Sequence, residues 1–228
     1  MIHARAILPL AGLLLFVASG WAAELTDPID AARLDQALLA RAIFDETNRV
    51  RVQLGRKPFA REPKLDEAAD TQANIGALFR PPSHTNPFPL IATPADRVRF
   101  AGLDPLRVSE NIALLSIYDV PRNTSVYWLK NDSTLRDSRT GGPVRLHTYA
   151  SFAKAIVGEW MNSPGHRANI VDEKLRYLGC AVRASKSKDD MDMIFAVQAF
   201  FTPRRKNAFA QTGRAPSSDA ATRLRGGY

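Results

Sequence analysis

Cysteine is nearly absent from this sequence, whose 228 residues contain only Cys180. A single thiol excludes an intrachain disulfide and, with it, the small disulfide-rich folds of secreted proteins. Cys180 stands in the apolar run YLGCAV, which favours a small buried core residue over a reactive thiol. A domain without disulfides depends on its hydrophobic core, and a hydrophobic content of 45% is enough to build one.

Long apolar runs are absent after the first 22 residues, so no later stretch predicts a membrane-spanning helix. At the start of the chain, Arg5 precedes an apolar run over residues 6–18, and the small residues Gly20 and Ala22 follow. This layout predicts a secretory signal peptide over residues 1–22. A retained membrane anchor is the alternative, but the run is shorter than the ~20 residues that a spanning helix needs. We therefore expect a secreted or periplasmic protein, and the lack of disulfides suits a bacterial one.

Acidic residues are the minority, and the net charge of +8 raises the question of nucleic-acid binding. Most of this charge lies after Pro203, where six basic residues accompany one acid. The composition of residues 204–228 predicts a disordered, solvated basic tail, and contact with an anionic surface is the alternative. The rest of the chain shows no interleaving of basic and aromatic residues, so we expect no specific nucleic-acid binding.

Hydrophobic spacing predicts helices in the first part of the chain and strands at its end. Helices are expected over residues 38–54 and 64–78. The clearest helical pattern comes later, with apolar side chains at Tyr149, Phe152, Ala153, Ile156, Val157 and Trp160. Residues 177–184 and 193–201 predict an antiparallel hairpin. Between the helices and the hairpin, residues 116–148 predict a long excursion with little regular structure.

The stretch GEWMNSPGHRANI, residues 158–170, contains a break between two predicted helices. Glu159 falls at the border of the apolar stripe, from which it can lean toward a cleft. Ser163 and Pro164 have the chemistry of a new helix start. His166 follows in the first turn, where the helix dipole disfavours the protonated imidazole. A neutral imidazole can bind a metal or take a proton, although a histidine that packs at an ordinary junction is the alternative.

Two further motifs accompany this stretch, SHTNP around His84 and SENIA around Glu110. With GEWMNSPGHRANI and the closing hairpin, they resemble the CAP superfamily, the SCP-like extracellular domain of cysteine-rich secretory proteins, antigen 5 and plant pathogenesis-related proteins. The segments ETNRVRVQLG, LDEAADTQANIGA and DRVRFAGL also resemble that family. The resemblance covers about residues 38–203, and WMNSPGHRANI has the form typical of bacterial members.

The resemblance implies an α+β fold, a three-layer α-β-α sandwich with a central antiparallel sheet, formed by one domain over residues 23–203. It also implies a cleft with two histidines and two glutamates, which fall on His84, Glu110, Glu159 and His166. In several family members the cleft histidines bind divalent ions. We therefore expect His84 and His166 to bind a divalent cation, zinc by preference. Glu110 and Glu159 would orient a bound water or take a proton.

The sequence departs from the family pattern at several positions. Ser109 stands where the family usually has glycine, which could alter the turn that presents Glu110. The excursion over residues 116–148 is longer than in typical bacterial members and could cover the cleft. His147, at its end, is expected to be a surface residue.

Three functions are compatible with these features. The leading one is a non-enzymatic binding module, whose cleft holds a divalent cation and whose wider partner is a lipid or another cell-envelope ligand. The second is a metal-dependent hydrolase of peptide or cell-wall material, with Glu110 or Glu159 as general base. No serine or cysteine nucleophile motif and no HExxH zinc helix support the second function. The third is an adhesion module that works through the excursion and the tail.

Overall fold

The computed structural model describes residues 22–79, 81–120, 124–129, 134–187 and 191–204. The predicted signal peptide and basic tail lie almost entirely outside these ranges. Within them, the helices are too short or too polar to cross a lipid bilayer.

Five α-helices and six strands make up the described chain. The helices are α1 (Gln36–Gln53), α2 (Pro63–Gly76), α3 (Pro94–Phe100), α4 (Tyr149–Asn162) and α5 (Pro164–Val171). The strands are β1 (Ala60–Arg61), β2 (Pro105–Ser116), β3 (Val126–Trp128), β4 (Leu135–Asp137), β5 (Tyr177–Lys186) and β6 (Asp192–Pro203). Short 3-10 helices occur at Ala31–Arg33 and Pro89–Ile91.

The central sheet has the strand order β1-β5-β6-β2. The β5–β6 pair is antiparallel, which confirms the predicted hairpin. β2 pairs antiparallel with β6, and the short β1 runs parallel to β5. β2 is therefore an edge strand, with α5 packed on the side of one core and α3 on the side of the other.

Side chains alternate along β6 between two helical layers. Ile194, Ala196 and Phe200 belong to the core that includes residues of α1, α4 and α5, whereas Phe195 and Val197 belong to the core formed with α2 and α3. Strand geometry directs successive side chains to opposite faces, so each layer has its own hydrophobic core. The predicted three-layer α-β-α sandwich is confirmed.

The apolar stripe predicted for the third helix is buried as α4. Phe152, Ile156 and Trp160 have relative exposures of at most 1%. Burial of such side chains stabilises the fold by roughly 1.5–3 kcal/mol each for the aliphatic and phenyl groups. This packing fixes α4, and the chain then turns at Ser163 directly into α5.

On the opposite face, α2 lies unusually close to β5. A Cβ atom added to Gly179 would lie 2.3 Å from the backbone carbonyl carbon of Leu65, so the glycine permits direct backbone contact. The close packing fixes the N-terminal end of α2, where Leu65 lies. The loop that contains His84 leaves from the other end of this helix.

The prediction of little regular structure over residues 116–148 is wrong for part of that segment. β3 and β4 form a two-stranded antiparallel sheet, and an isolated bridge joins Tyr118 to Leu146. Both ends of the segment are thereby held together next to the end of β2. No hydrogen bond joins its described residues to His84, Glu110 or His166, so its predicted role as a cover stays a prediction.

The prediction that His147 is a surface residue is also wrong, because its relative exposure is 7%. Its backbone N–H donates to the carbonyl of Ile117 (2.7 Å), and its carbonyl accepts from the N–H of Ile29 (2.8 Å). Its Nδ1 lies 3.0 Å from Ser151 Oγ in the first turn of α4. Parts of the chain that are distant in sequence therefore close over this imidazole.

Candidate functional site

Glu110 is a buried carboxylate at the centre of β2, on the sheet face that packs against α2 and α3. Its side chain is only 2% exposed, so the surrounding protein shields it from water. Oε2 accepts from Arg97 NH2 at 2.7 Å, and Oε1 lies 2.9 Å from His84 Nδ1. A buried carboxylate remains charged only with such partners, and here both oxygens have one.

Arg97 connects this carboxylate to the loop that precedes α3. The helix begins with a capping box at Thr93 and Asp96, which fixes its first turn. Arg97 follows Asp96 in this helix, and its side chain is 1% exposed. Besides its bond to Glu110, its guanidinium donates to the carbonyl oxygen of His84 at 3.0 Å. It makes two further bonds to carbonyls of residues 91 and 92. Arg97 thus holds both Glu110 and the backbone of the histidine.

His84 lies in the loop after α2, and its imidazole is 48% exposed. Gln72 of α2 donates to the carbonyl of Ser83 (2.7 Å), which anchors the loop beside the histidine. Because an ionised carboxylate only accepts hydrogen bonds, the Nδ1–H of His84 is the donor to Glu110. Nε2 is then left as an acceptor, which is the arrangement found in metal-binding histidines oriented by a carboxylate.

His166 lies in the first turn of α5, as the sequence predicts. Ser163 occupies the N-cap position, but its side chain makes no capping hydrogen bond. Burial lowers the pKa of His166 below its ordinary value, and the neighbouring His84 imidazole lowers this pKa further. His166 is therefore neutral at pH 7, and the two imidazoles are close enough to influence each other electrostatically.

A buried chain of amides ties α5 to the sheet beneath His166. Asn111 Nδ2 donates to the carbonyl of His166 (3.2 Å) and to Gln198 Oε1 (3.0 Å). Asn169 donates to Asn111 Oδ1 (2.8 Å), and Gln198 donates to Thr47 Oγ1 (2.6 Å). Asn111, Gln198 and Thr47 are fully buried, and hydrogen bonding compensates for their desolvation.

Glu110 and Asn111 are consecutive, so their side chains project to opposite faces of β2. Glu110 reaches the layer that holds His84, and Asn111 reaches the layer that holds His166. The two histidines thus belong to the two layers on either side of this edge strand. Ser109 pairs with Phe200 within the regular part of β2, so the serine that replaces the family glycine is accommodated in the strand.

Glu159 lies on an exposed part of α4. The hydrogen bonds of His84, Arg97 and Glu110 do not include it. The structure therefore joins His84 to Glu110 by a hydrogen bond and places His84 close enough to His166 to lower its pKa, whereas the role predicted for Glu159 stays a prediction.

The predicted cation site stays a prediction, for which the cleft offers two histidines as protein ligands. Over the described residues, no group of three or more His, Cys, Asp or Glu side chains is arranged to hold a metal ion. Neutral His166 and the Nε2 atom of His84 would provide two nitrogen ligands, with water in the remaining positions. Both oxygens of Glu110 have protein partners, so Glu110 orients His84 and is not counted among these ligands.

Sequence analysis missed Arg97, Asn111 and Gln198 as parts of this site. Gln198 carried a usable signal, because it is the only polar residue in the apolar run FAVQAFF. A polar residue within a buried strand must find hydrogen-bond partners. Arg97 gave no such signal, since DRVRF has the composition of an exposed helix.

The model of the CAP family, the cysteine-rich secretory protein family, matches residues 44–200. No curated protein matches the chain. Among solved structures, an outer surface protein of Borrelia burgdorferi is similar, with 16% identity and a TM-score of 0.48, over 78% of this chain and 98% of that one.

Two other solved structures are similar over a smaller share of their own length. An extracellular protein with an SCP domain from Bacillus anthracis shares 19% identity, with a TM-score of 0.47, over 77% of this chain and 45% of that one. A cysteine-rich secretory protein from Staphylococcus aureus shares 13% identity, with a TM-score of 0.40, over 73% of this chain and 39% of that one. This chain thus spans less than half the length of these two proteins.

Proposed function

The chain belongs to the CAP family of cysteine-rich secretory proteins, and we propose that it is a secreted or periplasmic, non-enzymatic binding protein. In this proposal the cleft holds a divalent cation, zinc by preference, and a lipid or another cell-envelope ligand is the wider partner. An extracellular location is supported by the sequence pattern of residues 1–22 and by the descriptions of similar structures as outer-surface, extracellular or secretory proteins.

The observation that carries the proposal is the hydrogen-bonded series Arg97–Glu110–His84. Arg97 pairs with the buried carboxylate, and the carboxylate fixes the His84 ring with Nε2 free to accept. Preorganisation of this kind raises the affinity of a histidine for a metal ion. His166 adds a neutral imidazole from the opposite layer, and its lowered pKa extends metal binding to mildly acidic pH.

The contacts of Glu110 favour binding over hydrolysis by this residue. A general base needs an oxygen within reach of a water molecule and free to take its proton. Each oxygen of Glu110 already accepts a hydrogen bond from Arg97 or His84, and the side chain is 2% exposed. The hydrolase alternative therefore depends on Glu159.

Zinc titration by calorimetry tests the proposal. The wild-type protein should bind one zinc ion per chain, and the double variant His84→Ala/His166→Ala should lose this binding. His147→Gln is the matched control, because it removes a histidine outside the cleft and should leave the stoichiometry unchanged. Equal weak heats from all three proteins would refute the metal site. Release of peptide or peptidoglycan fragments by the zinc-loaded protein would instead favour the hydrolase.

A further inference from the structure

Two cavities lie side by side at the end of the sheet where β5 begins and β6 ends. The first, of about 630 Å³, is lined by Arg107, Lys174, Arg176 and Arg204 among others. The second, of about 640 Å³, includes Lys57 and shares Arg176 and Glu173 with the first, and the carboxylate of Glu173 pairs with Arg56. Because the cavities share lining residues, they form one continuous surface. We call these five basic residues and the cavities between them the basic face.

Part of the charge on the basic face is not compensated. Arg107 pairs with Asp172 at 3.6 Å, and Arg204 pairs with Asp104 at 3.4 Å. Lys57, Lys174 and Arg176 are exposed and form no ion pair within the described part of the chain. The face therefore carries a surplus of positive charge that is available to an external anion.

Exposed aliphatic side chains accompany these cations. Leu106 is 59% exposed and lines the first cavity. Leu54 is 44% exposed and precedes Gly55, which lines the second. Leucines among lysines and arginines are characteristic of surfaces that bind at the headgroup level of a bilayer, where the apolar groups enter the acyl boundary.

We propose that the basic face binds the surface of a bilayer that contains anionic lipids. The chain's own C-terminal segment is a poor occupant, because it leaves from Arg204 and continues with Arg205 and Lys206, which repel the face. A symmetric contact with a second copy would bring two such faces together, which like charges disfavour. Nucleic acid fits less well, since the large exposed apolar side chains here are leucines instead of aromatic stacking platforms.

This inference goes beyond the proposed cation site, because the basic face shares no residue with the cleft. Its orientation also follows from the fold. Pro105 pairs with Pro203, so Arg107 near the start of β2 and Arg204 after the end of β6 lie at the same end of the sheet.

Co-sedimentation with vesicles tests the proposal. The purified protein should bind vesicles of phosphatidylcholine mixed with phosphatidylglycerol, and binding should weaken as salt is raised. Each basic side chain near an anionic surface contributes about a fivefold gain in binding, so reversal of three should cost at least about 100-fold. The test variant is Lys57→Glu/Lys174→Glu/Arg176→Glu, with its fold checked by circular dichroism.

The matched control is Arg139→Glu/Arg145→Glu/Lys154→Glu, which makes the same change in net charge at exposed positions elsewhere. It should lose much less binding than the test variant. Arg205→Gln/Lys206→Gln should cause a smaller loss than the test variant, and His84→Ala/His166→Ala should bind vesicles normally while losing zinc. The last result separates this proposal from the cation site.

Several outcomes would overturn the proposal. Equal losses in the test and control variants would show that net charge alone drives binding. Equal binding to pure phosphatidylcholine would remove the anionic lipid from the interaction. Complete displacement from vesicles by duplex DNA at equal charge concentration would assign the face to nucleic acid.

Discussion

Two histidine clusters in this protein contain the same chemical groups with opposite burial. In the cleft, the carboxylate of Glu110 is 2% exposed, and the imidazole of His84 is 48% exposed. At the junction between the excursion and α4, the imidazole of His147 is 8% exposed, and the carboxylate of Asp119, 3.8 Å away, is 59% exposed. The first arrangement presents an imidazole to a ligand, whereas the second uses an imidazole to hold the chain together.

The difference shows that the third partner decides the role of a histidine–carboxylate pair. Arg97 makes it possible to bury Glu110, so that the carboxylate becomes a rigid support for an exposed ring. His147 instead has Ser151 on one side and the ring of Phe152 on the other, with ring centroids 5.8 Å apart. Its partners are those of a packed structural residue.

The largest loss of stability is expected when the ion pair between Arg97 and Glu110 in the cleft is removed. Arg97→Met leaves Glu110 as a buried carboxylate without its cation, which should lower the free energy of unfolding by about 3–5 kcal/mol. Urea denaturation measures this loss. Arg99→Met is the control, because Arg99 lies on the same helix but is exposed, and its denaturation midpoint should not change. Equal midpoints for the two variants would mean that the Arg97–Glu110 pair does not support the cleft.

The next largest loss of stability is expected when the buried amide chain that holds the backbone of His166 is interrupted at Asn111. Asn111→Ala removes hydrogen bonds to Gln198, Asn169 and the carbonyl of His166, and an unsatisfied buried group costs about 1–3 kcal/mol. A looser α5 should expose His166, so its pKa should rise toward the ordinary value. NMR titration of the imidazole measures this shift.

Asn74→Ala is the control for the amide chain, because Asn74 is an exposed asparagine of α2. It should change neither the stability nor the pKa of His166. If Asn111→Ala loses stability while the pKa of His166 stays in place, the amide chain supports the core but does not position the histidine.

A smaller loss of stability is expected when the pH is lowered, because of His147 at the junction between the excursion and α4. Burial lowers the pKa of His147, and Asp119 partly opposes this shift. Below about pH 6.5 the unfolded chain therefore takes up a proton before the folded protein does. The stability that His147 contributes is present above that pH and is lost as the pH falls toward the lowered folded pKa.

Urea denaturation at pH 7.5 and at pH 5.5 should detect the stability that His147 contributes, as a lower midpoint at pH 5.5. His147→Gln should reduce the difference between the two midpoints, although His166 retains a contribution of the same sign. Asp119→Asn should increase the difference, because it removes the charge that raises the pKa of His147. A steeper pH dependence in His147→Gln would contradict the assignment.

Much of the fold was predictable from the sequence because burial imposes regular spacing. The six apolar positions of α4 lie on one face, and the β5–β6 hairpin is an uninterrupted apolar and β-branched pattern. β2 was missed because its pattern, PLRVSENIALLS, contains polar residues at buried positions. Glu110 and Asn111 can be buried because they have hydrogen-bond partners elsewhere in the chain. The spacing of apolar residues does not reveal those partners.

The site was only partly predictable for the same reason. Motifs located His84, Glu110 and His166, because they lie in distinctive local sequences. The burial of His147 depends on Ile29, Ile117 and Phe152, which come from different parts of the chain. Arg97 depends on the loop that folds around it. Contacts of this kind follow from tertiary packing and have no local pattern.

The smallest effect is the change in zinc affinity expected when the exposed side chain of Glu159 is neutralised. Glu110→Gln alters the carboxylate that orients His84, and loss of such a support typically lowers metal affinity by about 10–100-fold. Glu159→Gln removes an exposed charge, so zinc affinity measured by calorimetry should change by roughly twofold or less. If the two variants weaken zinc binding equally, Glu159 reaches the cleft in solution. The four residues predicted from the sequence would then act as one site, and a hydrolase would regain its candidate base.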